Sequence, residues 1–162
     1  MESVNSIIST LETMVDAHKK VLDVDKAKKN ILISGDVNEL QTILTRESTL
    51  VEKIQQLEQQ RMQYVQIYLT EKGAQGNFFT LEELVGFETD PGARDRLQSQ
   101  AKVLRGLIQE ISTLNETNKK LIETSLSYVQ YSIGMLVQKE PAIGYGPKGG
   151  RNRYSSLLDA KI

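Results

Sequence analysis

Apolar residues recur at alternating intervals of three and four along most of this chain, which is the spacing of one face of an α-helix. The first such face, within residues 4–33, carries Val4, Ile7, Ile8, Leu11, Met14, Val15, His18, Val21 and Leu22. The spacing resumes within residues 37–72, after Gly35, which suits a helix end, and Asp36, which suits an N-cap. The pattern predicts two long helices joined into an antiparallel hairpin.

A short helix is predicted after the hairpin. The stretch EKGAQGN, residues 71–77, interrupts the helical pattern with two glycines. Thr80 and Glu83 have the spacing of a capping box, so we expect a helix over residues 81–87. Because aromatic side chains mainly fill cores, we expect the phenylalanines near this helix to plug one end of a bundle. They are Phe78, Phe79 and Phe87.

The last predicted helix is far longer than an average helix. Asp90 suits its N-cap, Pro91 suits its first position, and the helix should end shortly before Pro141. Its apolar seam comprises Leu97, Ala101, Leu104, Ile108, Ile111, Ile122, Val129 and Leu136. A helix over residues 91–138 extends ~70 Å. We therefore predict an all-α fold, a long antiparallel helical hairpin or bundle with coiled-coil-like packing, in one domain over residues 1–139.

The end of the chain has a different composition. The segment KEPAIGYGPKGG, residues 139–150, places Tyr145 among glycines, which free the backbone, and prolines, which end helices. We expect residues 140–162 to form a flexible, Gly-containing tail. Residues 153–162 could form one or two amphipathic turns, which would be ordered only against a partner or the helical body.

The composition excludes several classes of function. The 20 basic and 21 acidic residues give a net charge of −1, which offers no field for binding nucleic acid or an anionic membrane. The chain has no cysteine and a single histidine, which excludes disulfides, thiolate nucleophiles and sites rich in Cys or His. We recognise no signal peptide and no stretch with the ~18–20 apolar residues that span a bilayer. We therefore expect a cytoplasmic protein without stable membrane insertion.

The sequence contains no recognisable catalytic constellation, so we expect neither an enzyme nor a cofactor or metal. It has no P-loop, GxGxxG or HExxH motif. His18 is either a general base or pH switch, or a hydrogen-bonded core residue, and the lack of a nearby nucleophile favours the core. KGGRNR, residues 148–153, lacks the aromatic residues of a nucleic-acid segment. We interpret it, and the lysines between residues 19 and 29, as solvated surface.

Two asparagines, Asn115 and Asn118, interrupt the apolar seam of the long helix. A polar residue in such a seam can fix helix register while it lowers stability. Alternatively, these amides could bind the backbone of a client segment. The spacing favours the register role and leaves both interpretations open.

Beyond about residue 121 the apolar positions of the long helix broaden into an arc. They comprise Leu121, Ile122, Leu126, Tyr128, Val129, Ile133, Met135 and Leu136. Because this helix is longer than its neighbours can cover, we expect the arc to be exposed and to bind another helix.

The long helix carries LNETNKKLIETSL and is followed by EPAIGYGPKGG. On these segments the chain resembles the FlgN family of flagellar export chaperones over about residues 104–150. The matching positions are Leu114, Asn115, Asn118, Leu121, Ile122, Glu123, Pro141, Tyr145 and Gly146.

The resemblance implies partners and sites. FlgN proteins bind the hook–filament junction proteins FlgK and FlgL, and deliver them to FlhA, the gate protein of the flagellar type III export apparatus. Client binding in the family lies on the C-terminal helical part, here about residues 114–138. The implied client-binding residues are Asn115, Asn118, Leu121, Ile122, Leu126, Val129, Ile133 and Leu136. Tyr145 is implied to dock on FlhA, with Tyr154 as the alternative.

A second interpretation assigns the chain to a different class of protein. The chain could be a structural scaffold that self-associates through the exposed arc and has no client. Long helices of mixed charge fit this interpretation equally well, and a homo-oligomer is compatible with either.

Overall fold

The computed structural model describes residues 2–76 and 80–138. Within these ranges the chain forms four helices and no strand. The helices are α1 (Glu2–Ser34), α2 (Val37–Glu71), α3 (Leu81–Phe87) and α4 (Pro91–Gln138). The predicted all-α fold of long helices with one short helix is confirmed. The expected flexible tail, with Tyr145 and Tyr154, lies outside the described residues, as do Phe78 and Phe79.

The helix ends follow the local signals in the sequence. Gly35 ends α1 with a φ of 76°, a conformation that favours glycine. The Oδ1 of Asp36 accepts a hydrogen bond of 3.0 Å from the backbone N–H of Glu39 and caps α2. Thr80 and Glu83 form the complete capping box at the start of α3. These caps satisfy backbone donors that have no partner within their own helix.

α1 and α2 form the predicted antiparallel hairpin. Near the start of α1, the hydroxyl of Ser3 donates a 2.5 Å hydrogen bond to Glu71 at the end of α2. Near the other end, the Nζ of Lys28 lies 2.8 Å from the Oε1 of Glu47 in the first half of α2. The two pairs show that the helices run in opposite directions along their length.

α4 also packs against α1 and runs parallel to it. The guanidinium of Arg96 lies 2.9 Å from the carboxylate of Glu12, and Asn118 contacts Asp25 further along both helices. The end of α2, α3 and the start of α4 all pack near the start of α1. α1 is therefore the central helix, with α2 and α4 packed against it.

The core lies along α1 and consists of two clusters. The larger cluster joins the first half of α1 to the end of α2, to α3 and to the start of α4. Its most buried members are Ile7, Ile8, Leu11, Tyr68, Leu69, Leu84 and Leu97. The second cluster, further along α1, contains Val21, Leu22 and Ile111, with Leu50, Leu107 and Leu114 packed against it. The residues that α4 contributes to the two clusters all lie within its first two thirds.

A hydrogen-bonded junction fixes the start of α4 against the end of α2. The buried hydroxyl of Tyr68 donates to the carboxylate of Glu88 over 3.0 Å. Burial by itself would raise the pKa of Glu88, but hydrogen bonds from the backbone N–H of Asp90 and from Tyr68 bring that pKa below its usual value. Asp90 in turn caps α4 through a 2.8 Å bond from the N–H of Ala93.

Two residues that were expected in the core are exposed, which corrects the predicted seam. Ile108 faces solvent, and Leu107 packs on the second cluster instead. Both lie three or four residues from Leu104 and Ile111, so spacing alone does not distinguish them. Phe87 is exposed at the end of α3, where the buried residues are aliphatic, so this phenylalanine does not plug the bundle.

His18 is a core residue. Its ring is buried on the face of α1 that packs against the rest of the bundle. The Nδ1–H donates to the backbone carbonyl of Met14, with a distance of 2.6 Å between the two atoms. The interpretation of His18 as a hydrogen-bonded core histidine is confirmed.

Candidate functional site

A layer of buried polar side chains crosses the bundle just beyond the second cluster, on the side of the turn between α1 and α2. We define this polar layer as Asp25 and Lys28 of α1, Glu47 of α2 and Asn118 of α4, all buried. Lys28 pairs with Glu47 at 2.8 Å and lies 3.6 Å from the Oδ1 of Asp25. The Nδ2 of Asn118 donates to the backbone carbonyl of Asp25 over 3.2 Å. The layer therefore connects all three long helices at one level.

The electrostatics of the polar layer are unbalanced. It contains two carboxylates and one ammonium group, and neither carboxylate oxygen of Asp25 accepts a hydrogen bond from the described part of the chain. Burial, together with the nearby carboxylate of Glu47, raises the pKa of Asp25 from 3.8 to about 6, against the opposing effect of Lys28. Asp25 therefore takes up a proton in the folded protein at a higher pH than in the unfolded chain.

Asn115 and Asn118, two of the expected client-binding residues, lie inside the bundle. Asn118 is 2% exposed and Asn115 is also buried. Each has an amide oxygen without a hydrogen-bond partner among the described residues. Because the amide of Asn118 contacts α1, this arrangement agrees with the interpretation that Asn118 fixes the register of α4.

α4 extends past the hairpin beyond the polar layer. Asp25 and Asn118 lie side by side, and α1 ends at Ser34, nine residues after Asp25. Because α1 and α4 rise by the same distance per residue, α1 ends at about the level of residue 127 of α4. The last dozen residues of α4, ~17 Å of helix, therefore have no hairpin beside them.

The exposed end of α4 carries four of the expected client-binding residues. We define the anchor face as Leu126, Val129, Ile133 and Leu136, whose exposed fractions lie between 41% and 69%. Leu121 and Ile122, closer to the polar layer, are half-buried. The eight expected residues thus divide into two buried asparagines, two half-buried residues and the four exposed residues of the anchor face.

The anchor face continues the face of α4 that packs on α1. From Ile111 the positions follow one another at intervals of three and four, as one side of a helix requires. They are Ile111, Asn115, Asn118, Ile122, Leu126, Val129, Ile133 and Leu136. The same side of α4 is therefore buried on α1 before the end of the hairpin and exposed after it.

Comparison with known protein families now assigns the chain. The model of the FlgN protein family matches residues 1–153. The chain belongs to the FlgN family. FlgN proteins are flagellar export chaperones that bind hook-associated proteins.

One curated relative is similar to the chain over most of its length. The chain is 27% identical over 143 residues to the protein described as "Uncharacterized protein YvyG" from Bacillus subtilis (strain 168). The alignment covers 88% of this chain and 86% of the relative. No solved structure matches the chain.

The three charged residues of the polar layer were not predicted from the FlgN sequence. The interpretation of the lysines between residues 19 and 29 as solvated surface is wrong for Lys28, which is buried between two helices. A signal exists, because Asp25 follows Leu22 by three residues and Lys28 follows Asp25 by three. Both therefore continue the apolar face of α1, where a charged residue needs a buried partner.

Two features are absent from the described part of this FlgN chain. Within it, no group of three or more His, Cys, Asp or Glu residues is arranged to hold a metal ion. Among the described helices, none combines the length and the apolar character needed to cross a membrane. The implied docking residue Tyr145 lies outside the described residues.

Proposed function

We propose that this chain is a non-catalytic cytoplasmic chaperone that binds FlgK and FlgL and delivers them to the flagellar export apparatus. The observation that carries the proposal is the anchor face, a side of α4 that packs on α1 and then continues, exposed, past the end of the hairpin. A client helix placed on the anchor face takes the position that a longer α1 would occupy. The family assignment supports this class of partner.

The composition of the exposed end of α4 supports an apolar contact. Residues 124–138 contain no charged side chain, so an ion pair cannot orient a partner on this segment. Binding would therefore depend on burial of apolar area at helical spacing, which is how amphipathic helices bind in grooves. A client that folds as it binds lowers its own net affinity, and this favours later release.

The proposed delivery step uses a second contact. We assign docking on FlhA to Tyr145, separated from the anchor face by the glycine-containing segment that follows α4. Two weak linked contacts raise the overall affinity through effective concentration, while each can still be released. Tyr145→Ala should keep client binding and weaken docking of the loaded complex on FlhA, with Tyr154→Ala as the matched control.

Calorimetric titration with the C-terminal helical fragments of FlgK and FlgL tests the client proposal directly. Val129→Asp places a charge in the centre of the anchor face and should weaken binding at least tenfold. Ser127→Asp adds the same charge to the same exposed segment away from that face, and should change affinity less than threefold. The proposal fails if the parent chain binds neither fragment, or if Val129→Asp binds as tightly as Ser127→Asp.

The second candidate function is a self-associating scaffold. Exposed Ile33 and Val37 at the turn of the hairpin favour it, since they add apolar surface at the end where α4 extends. Multi-angle light scattering separates the two functions. An oligomer that is stable on dilution, dissociates in Val129→Asp and does not bind the fragments would support the scaffold.

A further inference from the structure

A second apolar face lies on the exposed end of α4, apart from the anchor face. We define the second face as Tyr128, Tyr131 and Met135, whose exposed fractions lie between 51% and 72%. Their spacing of three and four residues places them on one side of the helix. Large apolar side chains that are exposed together at helical spacing indicate a contact surface.

The two faces point in different directions. With 3.6 residues per turn, the mean directions of the anchor face and the second face differ by about 150°. Small or polar residues separate them on both sides of the helix, namely Ser127, Gln130 and Gly134 on one side and Ser125 and Ser132 on the other. A single packed helix covers one stripe of its partner, so one helix on the anchor face leaves the second face in water.

The second face begins close to the level where α1 ends. Earlier in α4 the same side of the helix carries Glu110, Thr113, Thr117 and Lys120, which suit solvent. At Tyr128 that side becomes apolar, within one turn of the level where the anchor face leaves the hairpin. A helix that is apolar on opposite sides is typical of one that is buried on both. The same partner can therefore contact both faces.

We propose that the client encloses the end of α4 between two of its helical segments, one on the anchor face and one on the second face. This inference rests on the proposed function. Since residues 124–138 carry no charge, each client segment should present an uncharged apolar stripe to α4. The exposed end of α4 then becomes the central helix of a three-helix layer, as α1 is in the bundle.

A second copy of the chain is a poorer occupant of the second face. Aromatic side chains bury ~150–250 Å² each, so at these exposures the two tyrosines and Met135 together offer roughly 400 Å². Two copies that meet through this face would bury roughly 800 Å² in total, below the ~1,200 Å² of a stable interface. A client that already binds the anchor face adds the second contact without another loss of translational freedom.

Three single substitutions of equal charge test the inference in calorimetric titrations with the FlgK and FlgL fragments. Tyr131→Asp on the second face and Val129→Asp on the anchor face should each weaken binding at least tenfold, and Ser127→Asp between them less than threefold. Circular dichroism monitors helix content, and the milder Tyr128→Gln with Tyr131→Gln replaces Tyr131→Asp if that variant loses helix. The inference is overturned if Val129→Asp weakens binding and the second-face variant binds like the parent. If the parent itself does not bind, the proposed function fails as well.

Photo-crosslinking identifies what occupies each face. A benzophenone amino acid in place of Val129 or of Tyr131 should crosslink to two different segments of the bound client, located by mass spectrometry. Crosslinks from both positions to one client segment would overturn the inference. Crosslinks from Tyr131 to a second copy, or to residues 139–162 of the same chain, would overturn it too and would name the occupant.

Discussion

Asn118 of α4 donates a hydrogen bond over 3.2 Å to the backbone carbonyl of Asp25 in α1, nine residues before α1 ends. The bond connects residues that are 93 positions apart in the chain. Because a backbone carbonyl cannot change its position along the helix, the bond sets which turn of α4 lies beside which turn of α1. It thereby also sets how far α4 extends past Ser34.

Asn118→Ala should lower the free energy of unfolding by about 0.5–1.5 kcal/mol, because it removes this hydrogen bond between α4 and α1. Urea denaturation measures the change. Asn30→Ala, at an exposed position of α1, should stay within about 0.5 kcal/mol of the parent. Equal midpoints for the two variants would contradict a role for Asn118 in holding α4.

Asp25 should make stability depend on pH. Its pKa is about 6 in the folded protein and 3.8 is the usual value, so the folded state binds the proton more tightly. The free energy of unfolding should therefore fall as pH rises from about 4 to above 6, by up to roughly 3 kcal/mol. Asp25→Asn should remove this fall and be the more stable protein at pH 7.5.

Thermal unfolding at pH 4.5, 6 and 7.5 compares Asp25→Asn with the parent. Asp23→Asn is the matched control, since Asp23 is exposed two residues away on the same helix. The difference between Asp25→Asn and the parent should grow with pH, while the difference for Asp23→Asn should stay nearly constant. A constant offset for Asp25→Asn would show that its pKa is not raised.

Lys28 is the one cation of the polar layer, and its removal should be costly. Lys28→Met leaves Asp25 and Glu47 buried without an opposing charge, and breaking such a pair typically costs about 3–5 kcal/mol at neutral pH. Lys26→Met, at an exposed position on α1, should change stability by no more than about 0.5 kcal/mol. Chemical denaturation at pH 7.5 measures both. A small effect of Lys28→Met would show that water reaches the layer.

The helices of this chain were predictable because local signals specify them. Gly35, Asp36 and the Thr80–Glu83 pair act within four residues of the helix ends that they determine. Periodicity predicted the helix faces, but it did not distinguish Leu107 from Ile108, which lie on neighbouring positions of one face. The spacing of apolar residues within one helix does not predict the direction from which the next helix packs against it.

The candidate site was predictable only in part, for a related reason. The apolar character of Leu126, Val129, Ile133 and Leu136 is a property of sequence, but their exposure depends on where α1 ends beside α4. That level depends on the parallel packing of α1 and α4, which brings Asp25 next to Asn118. The pairing of Lys28 with Glu47 depends in the same way on the register of the hairpin. Contacts between segments that are distant in sequence therefore decide the exposure of the anchor face, the level at which α1 ends beside α4 and the pairing of Lys28 with Glu47.

Ile111 and Val129 lie on the same side of α4, eighteen residues or five turns apart, yet Ile111 is buried on α1 and Val129 is exposed. Ile111→Ala should therefore lower the free energy of unfolding by about 2–4 kcal/mol, and Val129→Ala by less than about 0.5 kcal/mol. Urea denaturation of the free protein measures both, and the client fragments are then added. With client bound, Val129→Ala should become the variant that loses stability relative to the parent, because only the complex buries its side chain. If Val129→Ala already destabilises the free protein like a core substitution, the anchor face is covered without a client and cannot be its open binding surface.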